Sequence, residues 1–318
     1  MASRGLCQTA RMTASPRPLL VLDSASLYYR SFHALPESMT APDGRPHNAL
    51  RGFLSTVARL VTEHSPEAVV ACWDNDWRPQ WRVDLIPGYK GHRVADAATG
   101  AEDEPESLSS QAEAIAGVLD AAGIARLGFD GFEADDVIGS IAAQDPRPSI
   151  AVSGDRDLVQ VVDARSRLLL TVNGGMDKWP LLDPAAVRER FGVPPEHYVD
   201  MAVLRGDASD GLPGVPSIGA KTAVALVVAF GDLDGILEAA RERPDVRPMT
   251  PRLAAALSDA AALVAAARSV ATLRSDLPVL DRVTQRNRRA LDGLAADWGV
   301  QRQVSDLMSA LARYTAEE

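Results

Sequence analysis

Three short apolar runs in this chain each end at an aspartate, and that pattern narrows the fold more than any other feature. Residues 18–23 read P-L-L-V-L-D and stop at Asp23, residues 67–74 read E-A-V-V-A-C-W-D and stop at Asp74, and residues 148–155 read P-S-I-A-V-S-G-D and stop at Asp155. Runs of this length without alternation suit strands buried on both faces of a parallel sheet. A fourth strand is predicted over 165–172, R-S-R-L-L-L-T-V. Between them, Leu50, Phe53, Leu54, Val57, Leu60 and Val61 recur at helical spacing, and a second helix over 110–122 is predicted to stop at Gly123. Strands alternating with helices mean an α/β sheet, in which ligands gather at the carboxyl ends of the strands. One aspartate at that edge would be a turn residue; three from separate strands make a site.

More acids follow. In 131–141, G-F-E-A-D-D-V-I-G-S-I, the stripe Val137, Ile138 and Ile141 marks a helix whose first turn carries Glu133, Asp135 and Asp136. Glu133 and Asp136 share a face, and Asp135 lies about 100° round. Complementing the helix dipole accounts for one or two of them. G-D-R-D at 154–157 adds Asp157, and R-G-D-A-S-D at 205–210 adds Asp207 and Asp210. If all nine converge, each like-charged pair about 4 Å apart costs roughly 4 kcal/mol at an effective dielectric near 20. A few such pairs rival the stability of a fold, so convergence requires divalent cations or raised carboxyl pKa values. An all-oxygen donor set, with none of the five histidines at ligand spacing, points to two or more Mg²⁺ or Mn²⁺ ions rather than zinc.

Two segments carry features suited to phosphate. Residues 211–219 form a Gly/Pro loop ending at Lys221 and Thr222, where a helix is predicted over 220–230. The first N–H groups of a helix lack partners, and Gly214 and Gly219, without Cβ, would let an anion approach. A plain helix–turn–helix connector remains the alternative. Residues 77–93 interleave Arg78, Arg82, Lys90, His92 and Arg93 with Trp77, Trp81 and Tyr89, which suits phosphates and stacked bases or, equally, a solvated loop over a core edge. The polar stretch 94–111, broken at Pro105, is expected to be mobile without ligand. The last third is Ala-rich and helical: a helix over 194–205, a three-proline linker over 241–251, a helix or helix pair over 253–273, and a helical cap over 291–316.

Composition sets outer bounds. The length of 318 residues allows two domains, and 46% apolar residues suffice for a core. No run approaches the ~18 apolar residues of a membrane span. The N-terminus lacks a secretory apolar segment, and 1–17 reads as a flexible tail, with Met12 an alternative start. Cys7 and Cys72 make no disulfide framework, and Cys72 reads as a buried thiol, so a reducing, cytoplasmic setting is expected. The net charge of −10 excludes a simple basic DNA-coating protein, but a metal-loaded acidic site flanked by basic segments gives the same sum.

The motifs L-D-S-A-S-L-Y-Y-R-S-F-H-A-L-P, W-D, P-G-Y-K-G-H-R, E-A-D-D-V-I-G, S-G-D-R-D-L-V-Q and L-R-G-D-A-S-D-G-L-P-G-V-P-S-I-G-A-K-T-A run in order from about 18 to 280. Together they resemble the 5′ nuclease, or flap endonuclease-like, family, which includes the N-terminal nuclease domain of bacterial DNA polymerase I and stand-alone bacterial 5′-3′ exonucleases. The resemblance implies a PIN-like α/β core over 18–190 with a mostly parallel sheet and a helical arch over about 82–110. It implies a helical C-terminal region over 191–318 with a helix–three-turn–helix at about 194–230. Asp23, Asp74, Glu133 and Asp135 match a first metal group, Asp155, Asp157, Asp207 and Asp210 a second, and Asp136 stands between them. Tyr89, Lys90 and Arg93 match the base of the arch, where the scissile phosphate is positioned. Arg82, Gly214, Val215, Ile218, Gly219, Lys221 and Thr222 are the implied DNA contacts, with carbonyls near Val215 and Ile218 as candidate K⁺ ligands. G-L-P replaces the polymerase wording N-I-P at Gly211 and Leu212, with no expected loss of chemistry.

The activity so implied is 5′-3′ exonuclease and flap endonuclease action by two-metal hydrolysis, giving 5′-phosphate and 3′-hydroxyl ends in replication and repair. The expected partner is branched or nicked duplex DNA with a 5′ single strand, or an RNA–DNA hybrid. A stand-alone, nucleoid-associated monomer, away from membranes, is expected. The rivals are a branched-DNA-binding protein with weak catalysis and a nuclease acting mainly on RNA-primer 5′ ends. A phosphatase with an Asp nucleophile after the first strand would need a second Asp where Ala25 stands.

Overall fold

A computed structural model describes residues 16–96, 101–280 and 284–315. Most of the expected tail at 1–17, with Cys7 and Met12, and the centre of the stretch at 94–111 therefore lie outside the described residues.

The strands are β1 (Leu19–Asp23), β2 (Ala68–Cys72), β3 (Val94–Asp96), β4 (Ala101–Glu102), β5 (Ala125–Leu127), β6 (Ser149–Ser153), β7 (Ser166–Leu170) and β8 (Leu181–Leu182). Six of them form one sheet in the order β5-β2-β1-β6-β7-β8, parallel except for β8. β1 lies between β2 and β6, with Asp23 opposite Cys72 and Leu22 opposite both Ala71 and Val152. That register is why Asp23, Asp74 and Asp155 meet: each lies at or just beyond the carboxyl end of one of three adjacent strands. The chain order reverses there, which opens a crevice at the strand ends.

The first six helices are α1 (Ser24–Ala34), α2 (Asn48–His64), α3 (Gln80–Leu85), α4 (Glu106–Ala122), α5 (Ala134–Gln144) and α6 (Pro184–Phe191). The rest are α7 (Tyr198–Arg205), α8 (Ala220–Phe230), α9 (Leu233–Glu242), α10 (Pro251–Asp259), α11 (Ala261–Ala271), α12 (Arg288–Asp297) and α13 (Gln301–Thr315). β1 explains how they layer. Its Leu20 and Leu22 enter a core formed with α2, α4, α12 and α13, while Leu19 and Val21 enter the opposite core with α5 and helices α7 to α11. All four are at most 1% exposed, which is why the run has no polar alternation. The helical last third thus covers both faces of the sheet, α7 to α11 on one and α12 and α13 on the other.

Two expectations change. Within the stretch 94–111, β3 and β4 pair antiparallel, and α4 begins at Glu106 rather than near 110. Pro105 starts that helix instead of breaking it, because the missing N–H of proline costs nothing at a helix N-terminus. Of the helix or helix pair expected over 253–273, the structure shows the pair, α10 and α11, bent by 67°. Among the described residues no single helix is long and apolar enough to cross a membrane. Leu257 and Val264 of the bent pair are buried in the core.

Gly214, expected to make room for an anion, is pinned by backbone instead: a Cβ on it would lie 2.3 Å from the Arg205 carbonyl oxygen. Gly206 closes the same turn at φ +82° and ψ 159°, with a Cβ position 2.4 Å from the Gly214 nitrogen. Gly206→Ala should therefore destabilise the fold by at least about 2 kcal/mol, since that backbone region is essentially glycine-only. Urea unfolding checks it, and a loss under 0.5 kcal/mol would show that the turn relaxes.

Candidate metal centre and active site

Eight of the nine predicted acids line one cavity of about 730 Å³: Asp23, Asp74, Glu133, Asp135, Asp155, Asp157, Asp207 and Asp210. They arrive from five places, the ends of β1, β2 and β6, the first turn of α5, and the turn after α7. Each is aimed by local hydrogen bonds. Asp23 caps α1 by accepting from the Ser26 N–H (3.1 Å) and also accepts from the Ser153 hydroxyl. Asp74 accepts from the Ala134 N–H at the start of α5 (2.8 Å), which ties the end of β2 to the helix whose first turn bears Glu133 and Asp135. Asp155 accepts from the Asp157 N–H (2.8 Å), and Asp207 from the Ser209 N–H (2.9 Å). The turn holding Asp207 and Asp210 is closed by paired backbone hydrogen bonds between Asp207 and Leu212.

Asp136 is the ninth acid, and the structure places it elsewhere. It is fully buried and forms a two-pronged ion pair with Arg82, at 2.8 and 2.9 Å. It also completes the capping box of α5 and accepts from the Arg274 N–H (3.1 Å). Arg82, expected at the DNA surface, is 2% exposed and pairs with both Glu133 and Asp136 while donating to the Val270 carbonyl (3.0 Å). Burial alone would lower Arg82, but Glu133 and then Asp136 outweigh it and raise its pKa. The pair is structural because α3 packs on α5 and α11, which turns Arg82 inward.

Tyr89 is also buried, and its hydroxyl donates to Glu133 (2.7 Å), so it positions that acid from behind the cavity wall. Lys90 reaches the cavity. It holds a left-handed backbone (φ 46°), pairs its ammonium with Glu133 and donates its N–H to the Asp210 carbonyl (2.9 Å). A Cβ on Gly211 would lie 2.3 Å from the Gly88 oxygen, so the two loops bearing Asp210 and Lys90 touch backbone to backbone. Burial would lower the Lys90 ammonium, yet Glu133 and further anionic neighbours keep its pKa well above the ordinary value. Arg93 lines the cavity, 3.6 Å from Asp210, and donates to the Ser209 carbonyl (3.2 Å).

At the Gly/Pro loop, the Val215 and Ile218 side chains are buried and the Val215 carbonyl accepts from the Ile218 N–H (3.0 Å). Gly219 precedes α8 with nothing within 4 Å of its Cβ position, and Lys221 is exposed beside it, with Thr222 half-buried. Motif reading did not single out Ser26, Asn75, Tyr28, Tyr29, Glu102, Glu104 or Arg156, all of which line the cavity. Ser153 escaped notice too, although it bonds both Asp23 and the Asp155 N–H (2.9 Å). Only proximity in the fold singles them out.

The electrostatics fit cations. Burial, followed by the charge of Asp74, pushes Asp23 up to about 7. Burial and then Asp155 hold Asp135 and Asp157 well above the ordinary carboxyl range. Asp74, Glu133 and Asp210 are raised as well, chiefly by burial. Among the described residues no three acidic, histidine or cysteine side chains close into a finished ligand shell. Ions that keep several waters of their own need no such shell.

The sign of the pH effect follows. A carboxyl raised in the fold binds its proton more tightly folded than unfolded, so stability falls as pH climbs from about 4 to about 7 and stays low above. A divalent cation bound among these carboxyls would replace those protons. Saturating Mg²⁺ should therefore raise the melting temperature by on the order of 5 °C at pH 8 and by much less at pH 5. Calorimetry with Mg²⁺ or EDTA at both pH values measures it, and equal shifts would disconnect the cation from the carboxyls.

The family model for the 5′-3′ exonuclease N-terminal resolvase-like domain matches residues 18–192, and that for the C-terminal SAM fold matches 193–293. The chain belongs to the 5′-3′ exonuclease family. Two relatives span nearly the same length: a 5′-3′ exonuclease of Streptomyces coelicolor, 48% identical over 92% of this chain and 99% of that protein, and one of Mycobacterium tuberculosis, 44% identical over 92% and 98%. The DNA polymerase I of Mycobacterium leprae is 34% identical over 82% of this chain, and the match occupies 27% of that longer protein. Among solved structures the fold is shared with the T5 5′-exonuclease bound to zinc ions (TM-score 0.63, 18% identity, 94% of this chain and 99% of that one). It is shared as well with the catalytic core of Rad2 in complex with DNA substrate (TM-score 0.58, 12% identity, 93% of each chain). The expected α/β nuclease fold and family are thus borne out, and the 5′-3′ exonuclease family's two models meet where β8 and α6 give way to the helices that follow.

Proposed function

We propose that this chain is a structure-specific 5′ nuclease, a 5′-3′ exonuclease and flap endonuclease that hydrolyses DNA phosphodiesters to 5′-phosphate and 3′-hydroxyl ends. The observation that carries the reading is the convergence of eight carboxylates from five chain segments beside Lys90. Solved proteins of this fold, bound to divalent metal ions or to DNA, support it. Asp23, Asp74, Glu133 and Asp135 would hold one Mg²⁺ or Mn²⁺, and Asp155, Asp157, Asp207 and Asp210 another. Such ions supply acidification of an attacking water and stabilisation of a leaving 3′ oxygen.

The chain's own groups do the rest. Lys90, fixed by Glu133, presents a permanent cation toward charge building on the scissile phosphate, and Arg93 adds a second. Tyr89 and Arg82 hold Glu133 from behind. The start of α8, with Gly219, Lys221 and Thr222, receives the duplex backbone, and carbonyls near Val215 and Ile218 are the candidate K⁺ ligands. Such contacts touch phosphates and leave base edges unread, so branched or nicked duplex DNA with a 5′ single strand is recognised by shape. The chain acts as a monomer at the nucleoid.

Cleavage of a 5′-labelled flap duplex with Mg²⁺, Mn²⁺ or EDTA, beside nicked and single-stranded controls, tests the proposal. Metal-dependent cuts at the flap junction, little changed by flap sequence, are expected. Bound but uncut duplex would replace the nuclease reading with that of a branched-DNA-binding protein.

A further inference from the structure

Three cations line the acidic cavity: Lys90, Arg93 and Arg156. The first two are engaged, Lys90 with Glu133 and Arg93 with Asp210 and the Ser209 carbonyl. Arg156 is exposed, and its side chain has no hydrogen bond or ion pair among the described residues. Side chains one residue apart diverge, so neither Asp155 nor Asp157 is placed to pair with it. The backbone accounts for it. Asp155 accepts from the Asp157 N–H, and the chain turns at Arg156 (φ −80°, ψ −16°) into the 3₁₀ turn Asp157–Val161. The two carboxylates face the cavity, and the arginine is left at its rim.

The position on the rim is specific. Glu102 and Glu104 line the side near the β3–β4 pair, where Tyr29 donates to Glu102 (3.4 Å). Arg156 opens the 3₁₀ turn Asp157–Val161 at the far end of the second acid pair. The Tyr198 phenol at the head of α7 is pushed up to about 12 by burial and then by Asp157, while Arg205 and Arg156 pull it back. The 3₁₀ turn packs on α7 and α7 packs on α8, so Arg156 borders the acids on the side of the helices proposed above to receive the duplex.

We infer that Arg156 is a phosphate-binding residue that grips the cleaved strand on the duplex side, at the phosphodiester immediately 3′ of the scissile one. The assignment rests on the nuclease reading above and adds a residue that sets where the cut falls. Its planar fork suits a phosphate oxygen pair, and because no internal bond must be broken, all of its donors are available to the strand. The adjacent metal-binding acids make an unpaired anion there costly, so the contact also screens the approaching backbone from them.

The experiment measures binding and cleavage of a nicked flap duplex by wild type, Arg156→Gln and Arg156→Lys, with Ca²⁺ for binding and Mg²⁺ for cutting. Two substrates are compared, one unmodified and one with a neutral methylphosphonate at the phosphate 3′ of the cut. Arg156→Gln should weaken binding of the unmodified duplex on the order of tenfold and reduce the slope of log affinity against log salt by about 0.9, one phosphate contact. The methylphosphonate should cost wild type a similar factor and the Gln variant almost nothing, with Arg156→Lys in between. An unchanged salt slope, or equal sensitivity of wild type and Arg156→Gln to the methylphosphonate, would overturn the assignment. The melting temperature of the Gln variant should match wild type, because the side chain has no partner to lose. Should wild type bind the duplex and fail to cut it, the nuclease reading falls while the salt slopes still decide Arg156.

Discussion

Asp155→Ala is expected to lower flap cleavage on the order of 10³-fold or more while duplex affinity changes by less than about threefold. The carboxylate stands at the crossing of the two acid groups. Its charge raises the pKa of Asp23, Asp135, Asp157 and Asp210, in each case behind the effect of burial or of another neighbour. Removing it deletes a proposed cation ligand and relieves the repulsion those four feel. Activity and stability should therefore move apart: the melting temperature without divalent cation should hold or rise as cleavage disappears. A destabilised structural residue would lose both together. Near wild-type cleavage in this variant would end the assignment of Asp155 as a metal ligand, and loss of both properties would recast it as structural.

Arg82→Met should cost about 3–5 kcal/mol, the usual consequence of removing one member of a buried ion cluster. Glu133 and Asp136 are 3% and 0% exposed, and Arg82 is the only residue pairing with both among the described residues. Methionine fills similar volume, so the cost reports charge left uncompensated rather than a cavity. The variant also frees the Val270 carbonyl, to which Arg82 donates from α3. Urea unfolding of the protein in EDTA measures the loss. A change below about 1 kcal/mol would mean that the two carboxyls take up protons or water without cost, and Arg82 would then be free for another role.

How much of this was legible beforehand differs from element to element. β1, β2 and β6 were readable because burial on both faces removes polar residues altogether, and their terminal aspartates were readable because a parallel sheet aligns its strand ends. Helical spacing correctly separated Asp135 from the face shared by Glu133 and Asp136. It could not tell that Glu133 lines the cavity while Asp136 is closed off from it, although Arg82 pairs with both, since that depends on what packs across from α5. Arg82 and Tyr89 were misplaced for the same reason: a basic, aromatic segment looks alike whether it faces solvent or folds inward. Gly214 was identified as a close-approach position, but the approaching group is the Arg205 carbonyl. Pro105, taken for a breaker, starts a helix.

The sequence by itself determined the fold class, the family and eight of the cavity acids, because burial periodicity and short-range motifs are properties of neighbouring residues. Only the tertiary structure decided that Asp136 belongs to Arg82, that Ser153 braces Asp23, and that Arg156 stands unpaired among the described residues. Those outcomes depend on which surfaces of distant segments come within about 3 Å, a distance that hydrogen bonds and ion pairs require and that no local pattern encodes.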